Sequence, residues 1–137
     1  MDQDSFVFVA DGKLIQALEK RSQPVRCVEE QVLFCQGETP GGLYIIRSGE
    51  AALVMRSDSG EVVMCLRGAA GSLLGLPAVI ANRPYTLTAT ARKGSEVRFV
   101  PRSEFEDLLQ AEPSLSFKVL EVLAAEVRSA RNALSEI

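Results

Sequence analysis

The chain has 137 residues, of which 47% are apolar and 24% charged, with 15 basic against 18 acidic side chains for a net charge of −3. This is the composition of one packed globular domain, and it offers no strong positive field to nucleic-acid phosphates or an anionic membrane. Histidine is absent, which removes His-based triads and zinc or non-haem iron sites with imidazole ligands.

In chain order, the N-terminus MDQDSFVFVADGK has no basic segment followed by a long apolar run, and no stretch of roughly 18 apolar residues follows it. The expectation is a soluble cytoplasmic protein that stays where it is made. Leu14, Ile15 and Leu18 recur at helical spacing behind Asp11, a suitable N-cap, and Ser22-Gln23-Pro24 ends the run, so a short helix is predicted over 12–22. From Val25 to Pro101 the texture changes to eight short apolar segments, at 25–28, 32–35, 43–47, 51–56, 62–66, 73–76, 85–91 and 97–100. Turn residues separate them, among them Gln36-Gly37-Glu38, Ser48-Gly49-Glu50 and Asn82-Arg83-Pro84. Spacing this regular, without crossover helices, predicts an antiparallel sandwich or roll over 25–101. Ser57-Asp58-Ser59-Gly60 marks a hairpin, and its flanking runs AALVM and VVMCL are apolar on both faces, which predicts that its second face is covered as well, by a helix or a partner.

At Pro101 the pattern turns helical. Ser103 and Glu106 fit the capping box S-x-x-E, with Phe105, Leu108 and Leu109 behind them, for a helix over 103–111. Pro113 suits the first turn of a last helix over 113–137. That helix carries two stripes. Leu120, Leu123, Val127, Ala130, Leu134 and Ile137 repeat with spacings of 3, 4, 3, 4 and 3, the a/d seam of a coiled coil, while Leu115, Val119 and Val122 form a shorter stripe facing the domain. With Leu120 at position a, Glu126 falls at g and Arg131 at the next e, a pairing that favours a parallel homodimer.

The order of helix, eight strands, short helix and long terminal helix resembles the cyclic-nucleotide-binding domain of the catabolite-activator and anaerobic-regulator superfamily. VLFCQGETPGGLYIIRSGEAALV, with Gly37 and Gly49, looks like the family's first half. GAAGSLLGLPAVIANRPYTLTATA looks like its phosphate-binding cassette, with Gly71, Gly75 and the closing Ala91. The resemblance spans about residues 12–137 and implies an α+β, mainly β fold: an eight-stranded antiparallel double-stranded β-helix, or jelly roll, with a short N-terminal helix and a long C-terminal dimerisation helix.

It also implies a ligand site at Gly75, Leu76, Pro77, Arg83, Tyr85 and Thr86. Typical members follow the second cassette glycine with Glu, for the ribose 2′-hydroxyl, and later carry Arg-Ser/Thr-Ala, whose Arg pairs with the cyclic phosphate. Here Leu76 stands at the Glu position and Tyr85-Thr86-Leu87 at the second motif, so only the Thr86 hydroxyl remains, and Arg83 is the nearest substitute cation. Pro77 removes one N–H from the short cassette helix.

Cys27, Cys35 and Cys65 have no CxxC spacing and sit in register with Val25, Leu33 and Val63, which predicts three reduced, buried thiols. Met55 and Met64 flank the hairpin as core filler, with a soft pocket lining as the alternative. The expected function is a non-catalytic small-molecule sensor with weak or lost cAMP and cGMP affinity. It is expected to need no cofactor or metal, to dimerise through its last helix, to take an unassigned small ligand, and to touch neither membrane nor, by this chain alone, nucleic acid. The alternative is the sensor half of a DNA-binding regulator whose helix-turn-helix follows the long helix. An enzyme on a similar roll, such as a cupin, is disfavoured by the absence of His.

Overall fold

The computed structural model describes residue 7 and residues 9–135, with the backbone alone for Ser129, Ala130 and residues 132–135. Helix α1 (Gly12–Glu19) opens at Asp11, whose carboxylate accepts from the Lys13 backbone N–H at 2.8 Å. Eight strands follow: β1 (Gln23–Val25), β2 (Gln31–Phe34), β3 (Gly42–Ser48), β4 (Ala51–Arg56), β5 (Val62–Gly68), β6 (Leu73–Leu74), β7 (Thr88–Ala91) and β8 (Glu96–Pro101). Helix α2 (Leu76–Ala81) lies between β6 and β7, and α3 (Arg102–Ala111) and α4 (Leu115–Ser135) close the chain.

The strands form two four-stranded antiparallel sheets, β1-β8-β3-β6 and β2-β7-β4-β5, the jelly roll the sequence resembles. Gly49 makes the tight β3–β4 turn with φ of +85°, and a Cβ there would collide with Ser95, so only glycine fits. Two hydrophobic cores result. One fills the roll with Phe34, Ile46, Leu53, Met64, Leu66, Leu74, Tyr85, Ala89 and Val97. The other lies between β3, β6, β8 and the helices, where Leu14, Leu18, Leu43, Ile45, Leu76, Val100, Leu108, Val119 and Val122 meet. The shorter stripe of α4 therefore faces the domain, as its spacing predicts. Ion pairs from Lys118 to Asp11 at 3.2 Å and from Arg21 to Glu104 at 3.1 Å tie α1 to α4 and α3, each a small contribution at a partly exposed site.

Three local expectations are corrected. The capping box does not form: α3 starts one residue earlier, with Pro101 as N-cap, and Glu106 pairs with Arg102 at 3.2 Å. A proline φ already set near the helical value makes this start inexpensive. Of the two covers expected for the outer face of the β4–β5 hairpin, a helix is not found among the described residues, since Ala52 and Cys65 are exposed. Of the thiols, Cys27 is buried but Cys35 and Cys65 are exposed. A register shift between Val32 and Phe34 turns Leu33 and Phe34 both inward and leaves Cys35 outward, as a bulge does. In β5 the inward residues are Met64 and Leu66, which puts Cys65 on the outer face.

Candidate functional site

The roll's core does not close completely. A cavity of about 310 Å³ remains between the β2-β7-β4-β5 sheet, the segment Leu73–Ala78 and α4. Its walls are Phe34 of β2, Leu53 and Met55 of β4, Met64 and Leu66 of β5, Leu73 and Leu74 of β6, and Gly75, Pro77 and Ala78 at the start of α2. Tyr85, Thr86 and Leu87 form another side, and Leu123, Glu126 and Val127 of α4 the lid. The two methionines thus line a pocket as well as filling core.

Gly75 caps α2 with φ of +85°, and a Cβ on it would lie 2.8 Å from Tyr85 Cε1. The backbone can approach the Tyr85 ring this closely only without a side chain. Tyr85 is buried, stacked on Phe34 with centroids 3.9 Å apart, and its hydroxyl donates to the Gly42 carbonyl at 2.6 Å. The neighbouring Tyr44 donates to the Leu33 carbonyl at 3.0 Å. Burial, and secondarily Tyr85, push the Tyr44 phenol up to about 12, and burial also raises Tyr85. Both therefore stay neutral donors at physiological pH.

Of the site residues read from the sequence, Gly75, Pro77, Tyr85 and Thr86 come together at the cavity. Leu76 and Arg83 do not. Leu76 is fully buried on the other side of the short helix, in the core beneath α1 and α4, because adjacent helical residues point about 100° apart. Arg83 is exposed in the turn after α2 and lies outside the lining. On α4, Leu120 and Val127 are 58% and 59% exposed, while Leu123 is half-buried and packs inward. The exposed apolar ridge is Phe117, Leu120, Ala124 and Val127. Arg131 is exposed. The side chains of Ala130 and Leu134, and all of Ile137, lie outside the described residues.

Glu126 is the site residue whose place the heptad reading missed. Its carboxyl is half-buried against the apolar lining, and that burial pushes its pKa up to about 8. The signal was present in the shorter stripe, whose next step after Leu115, Val119 and Val122 is Glu126. Among the described residues no group of His, Cys, Asp and Glu is arranged to hold a metal ion, and no helix is long and apolar enough to cross a membrane.

This roll, with its glycine-hinged segment between β6 and β7, has relatives. The sequence profile of the family described as "Cyclic nucleotide-binding domain" matches residues 24–112. The chain belongs to this family. Among curated members, it is 30% identical over 125 residues to the CRP-like cAMP-activated global transcriptional regulator of Mycobacterium tuberculosis, an alignment covering 90% of this chain and 55% of the relative. This cyclic nucleotide-binding domain therefore spans about half the length of that protein. Its fold is shared with the Thermus thermophilus catabolite activator protein, at a TM-score of 0.74 and 20% identity over 91% of this chain and 59% of the other. It is shared too with oxidized CprK in complex with o-chlorophenolacetic acid, at a TM-score of 0.75 and 13% identity over 96% and 54% of the two chains.

Proposed function

We propose that this cyclic nucleotide-binding domain is a non-catalytic, cytoplasmic sensor module of one folded unit, whose small ligand enters the cavity beneath α4, and that cAMP and cGMP bind it weakly. The observation that carries this reading is the cavity's lining, in which no cation occurs among the described residues. A cyclic phosphate leaving water needs its charge met. At the family's Arg position Tyr85 is already committed to Phe34 and Gly42, and at the Glu position Leu76 belongs to the other core. Arg83 would have to leave its exposed turn to substitute. Loss of a bidentate pair and of the ribose contact weakens a micromolar site about a thousandfold. Calorimetry tests this: cAMP and cGMP should show dissociation constants above about 100 μM, and micromolar binding would overturn it.

We infer further that the module works as a homodimer through α4, which supplies both the cavity lid at Leu123, Glu126 and Val127 and the exposed ridge at Phe117, Leu120, Ala124 and Val127. An isolated short coil is marginal, so body contacts must add to it. Sedimentation should find a dimer at tens of micromolar, a range in which weak coils still associate, and Leu120→Glu with Val127→Glu should give monomers; a monomeric wild type would refute it. The match to a transcriptional regulator favours a second reading, the sensor half of a DNA-binding protein. The natural reading frame, if it continues into a helix-turn-helix, supports that reading, and its end at this length removes it.

A further inference from the structure

Leu115, Val119 and Val122 of α4 advance along the inward face by four and three residues, each of them buried, and the next step of four brings Glu126. At about 100° per residue, Glu126 sits at the centre of that inward face and about 140° around the helix from the middle of the exposed ridge. A carboxylate thus stands where each preceding member of the stripe is a buried hydrophobe. It lines the cavity as the one charged side chain of the described lining, and it makes no hydrogen bond or ion pair with a described residue. An ionised carboxylate against hydrocarbon favours a cation or N–H donor beside it and disfavours an anion. With its pKa raised to about 8 by burial, Glu126 changes charge near neutrality.

The interhelical pairing of Glu126 with Arg131 of a second copy fits this geometry poorly. Arg131 lies in line with the exposed ridge, whereas Glu126 faces the opposite way.

Resting on the reading of this cavity as a ligand site, we propose that Glu126 is the polar anchor for the ligand and that the site selects small apolar amines. The ammonium group meets the Glu126 carboxylate, and the ring or alkyl body packs among Met55, Met64, Leu66 and Leu123. Thioether and leucine side chains adapt to such a body with little shape selectivity, so the charge at Glu126 supplies the discrimination. The ligand's charge is then opposite in sign to that of a cyclic phosphate.

The test is calorimetry on the full chain with three probes of similar size: 2-phenylethylamine, 2-phenylethanol and 3-phenylpropionate. The amine should bind about tenfold or more tighter than the alcohol, with the carboxylate weakest. Glu126→Gln should cost the amine about tenfold while changing the alcohol by less than about twofold. The amine's margin over the alcohol should also widen from pH 6 to pH 8.5 as Glu126 ionises, no other charged group being present in the described lining. If the alcohol binds as tightly as the amine and Glu126→Gln changes neither, the inference is overturned while the ligand-site reading stands. If Glu126→Gln weakens the dimer in sedimentation and leaves the amine's margin intact, the carboxylate serves the interface and the inference is likewise overturned. Failure of all three probes at millimolar concentration would overturn both the inference and the ligand-site reading.

Discussion

The two cores lie back to back on β3 and β6 and differ in how completely they close. On the helix side, Leu14, Leu18, Leu43, Ile45 and Leu76 are each 0% exposed. On the roll side, half-buried Met55 and Leu87 stand at a cavity of about 310 Å³. One strand serves both, since β3 turns Leu43 and Ile45 to the helices and Ile46 to the roll. This small chain thus divides the two tasks between two faces of one sheet. The sealed face supplies cohesion, and the open face can tolerate space because it need not supply all of the stability.

The largest expected effect comes from breaking the sealed side. Leu43→Ala should cost about 3 kcal/mol, the range for a large-to-small change in a fully packed site. Met64→Ala, beside existing space, should cost roughly half as much. Urea unfolding of both variants checks this, and equal losses would erase the distinction between the cores.

The next effect is pH-dependent and belongs to the open side. Glu126 has a folded pKa raised to about 8 from an ordinary 4.5, so between those values the unfolded chain releases a proton that the folded chain keeps. Stability should therefore fall as pH rises from about 4.5 to about 8 and level off above it. The loss is on the order of 2 kcal/mol once solvent access to a half-buried group is allowed for. Glu126→Gln should remove this part of the slope, which unfolding curves at pH 5 and pH 8.5 would show.

A smaller change sharpens the cavity wall. Tyr85→Phe deletes the hydrogen bond to the Gly42 carbonyl but keeps the stack on Phe34, and should cost about 1 kcal/mol by thermal unfolding. Without any change in stability, a thiol reagent should modify Cys35 and Cys65 in the native protein and reach Cys27, whose pKa burial raises, only after denaturation. Protection of all three would place the hairpin's outer face under a partner.

Much of the architecture was readable because turn chemistry punctuates this chain. Gly37, Gly49, Gly60, Gly71 and Gly75 all adopt positive φ, and the apolar runs between them mark the eight strands to within a few residues. Strand faces were less readable. The register shift in β2 reverses the face of Cys35, and a bulge leaves no mark on apolar composition. Leu76 and Tyr85 stand where the resemblance implies Glu and Arg, but only packing reveals that one joins the helix-side core and the other stacks in the roll. Two stripes overlap on α4, so a heptad frame drawn from Leu120 assigns Leu123 to a seam and Glu126 to its flank. The three-dimensional helix instead gives both to the cavity. A period of 3.5 and one of 3.6 diverge too little over three turns to separate such frames from spacing alone.

The clasp between Lys118 and Asp11, together with Val119 and Val122, holds the first half of α4 to the body, and a ligand that displaced the turns beyond Val122 would move them as a lever about that anchor. From Val122 to Ser135 the arm is about 20 Å long, at 1.5 Å per residue. A ligand that lifts α4 at Val127 acts a short distance from the pivot, so a displacement of about 1 Å there becomes about 2.5 Å at Ser135. Mechanical advantage of this kind would make the far end of α4 a sensitive reporter of a ligand in the roll, and a spectroscopic label placed there would read it.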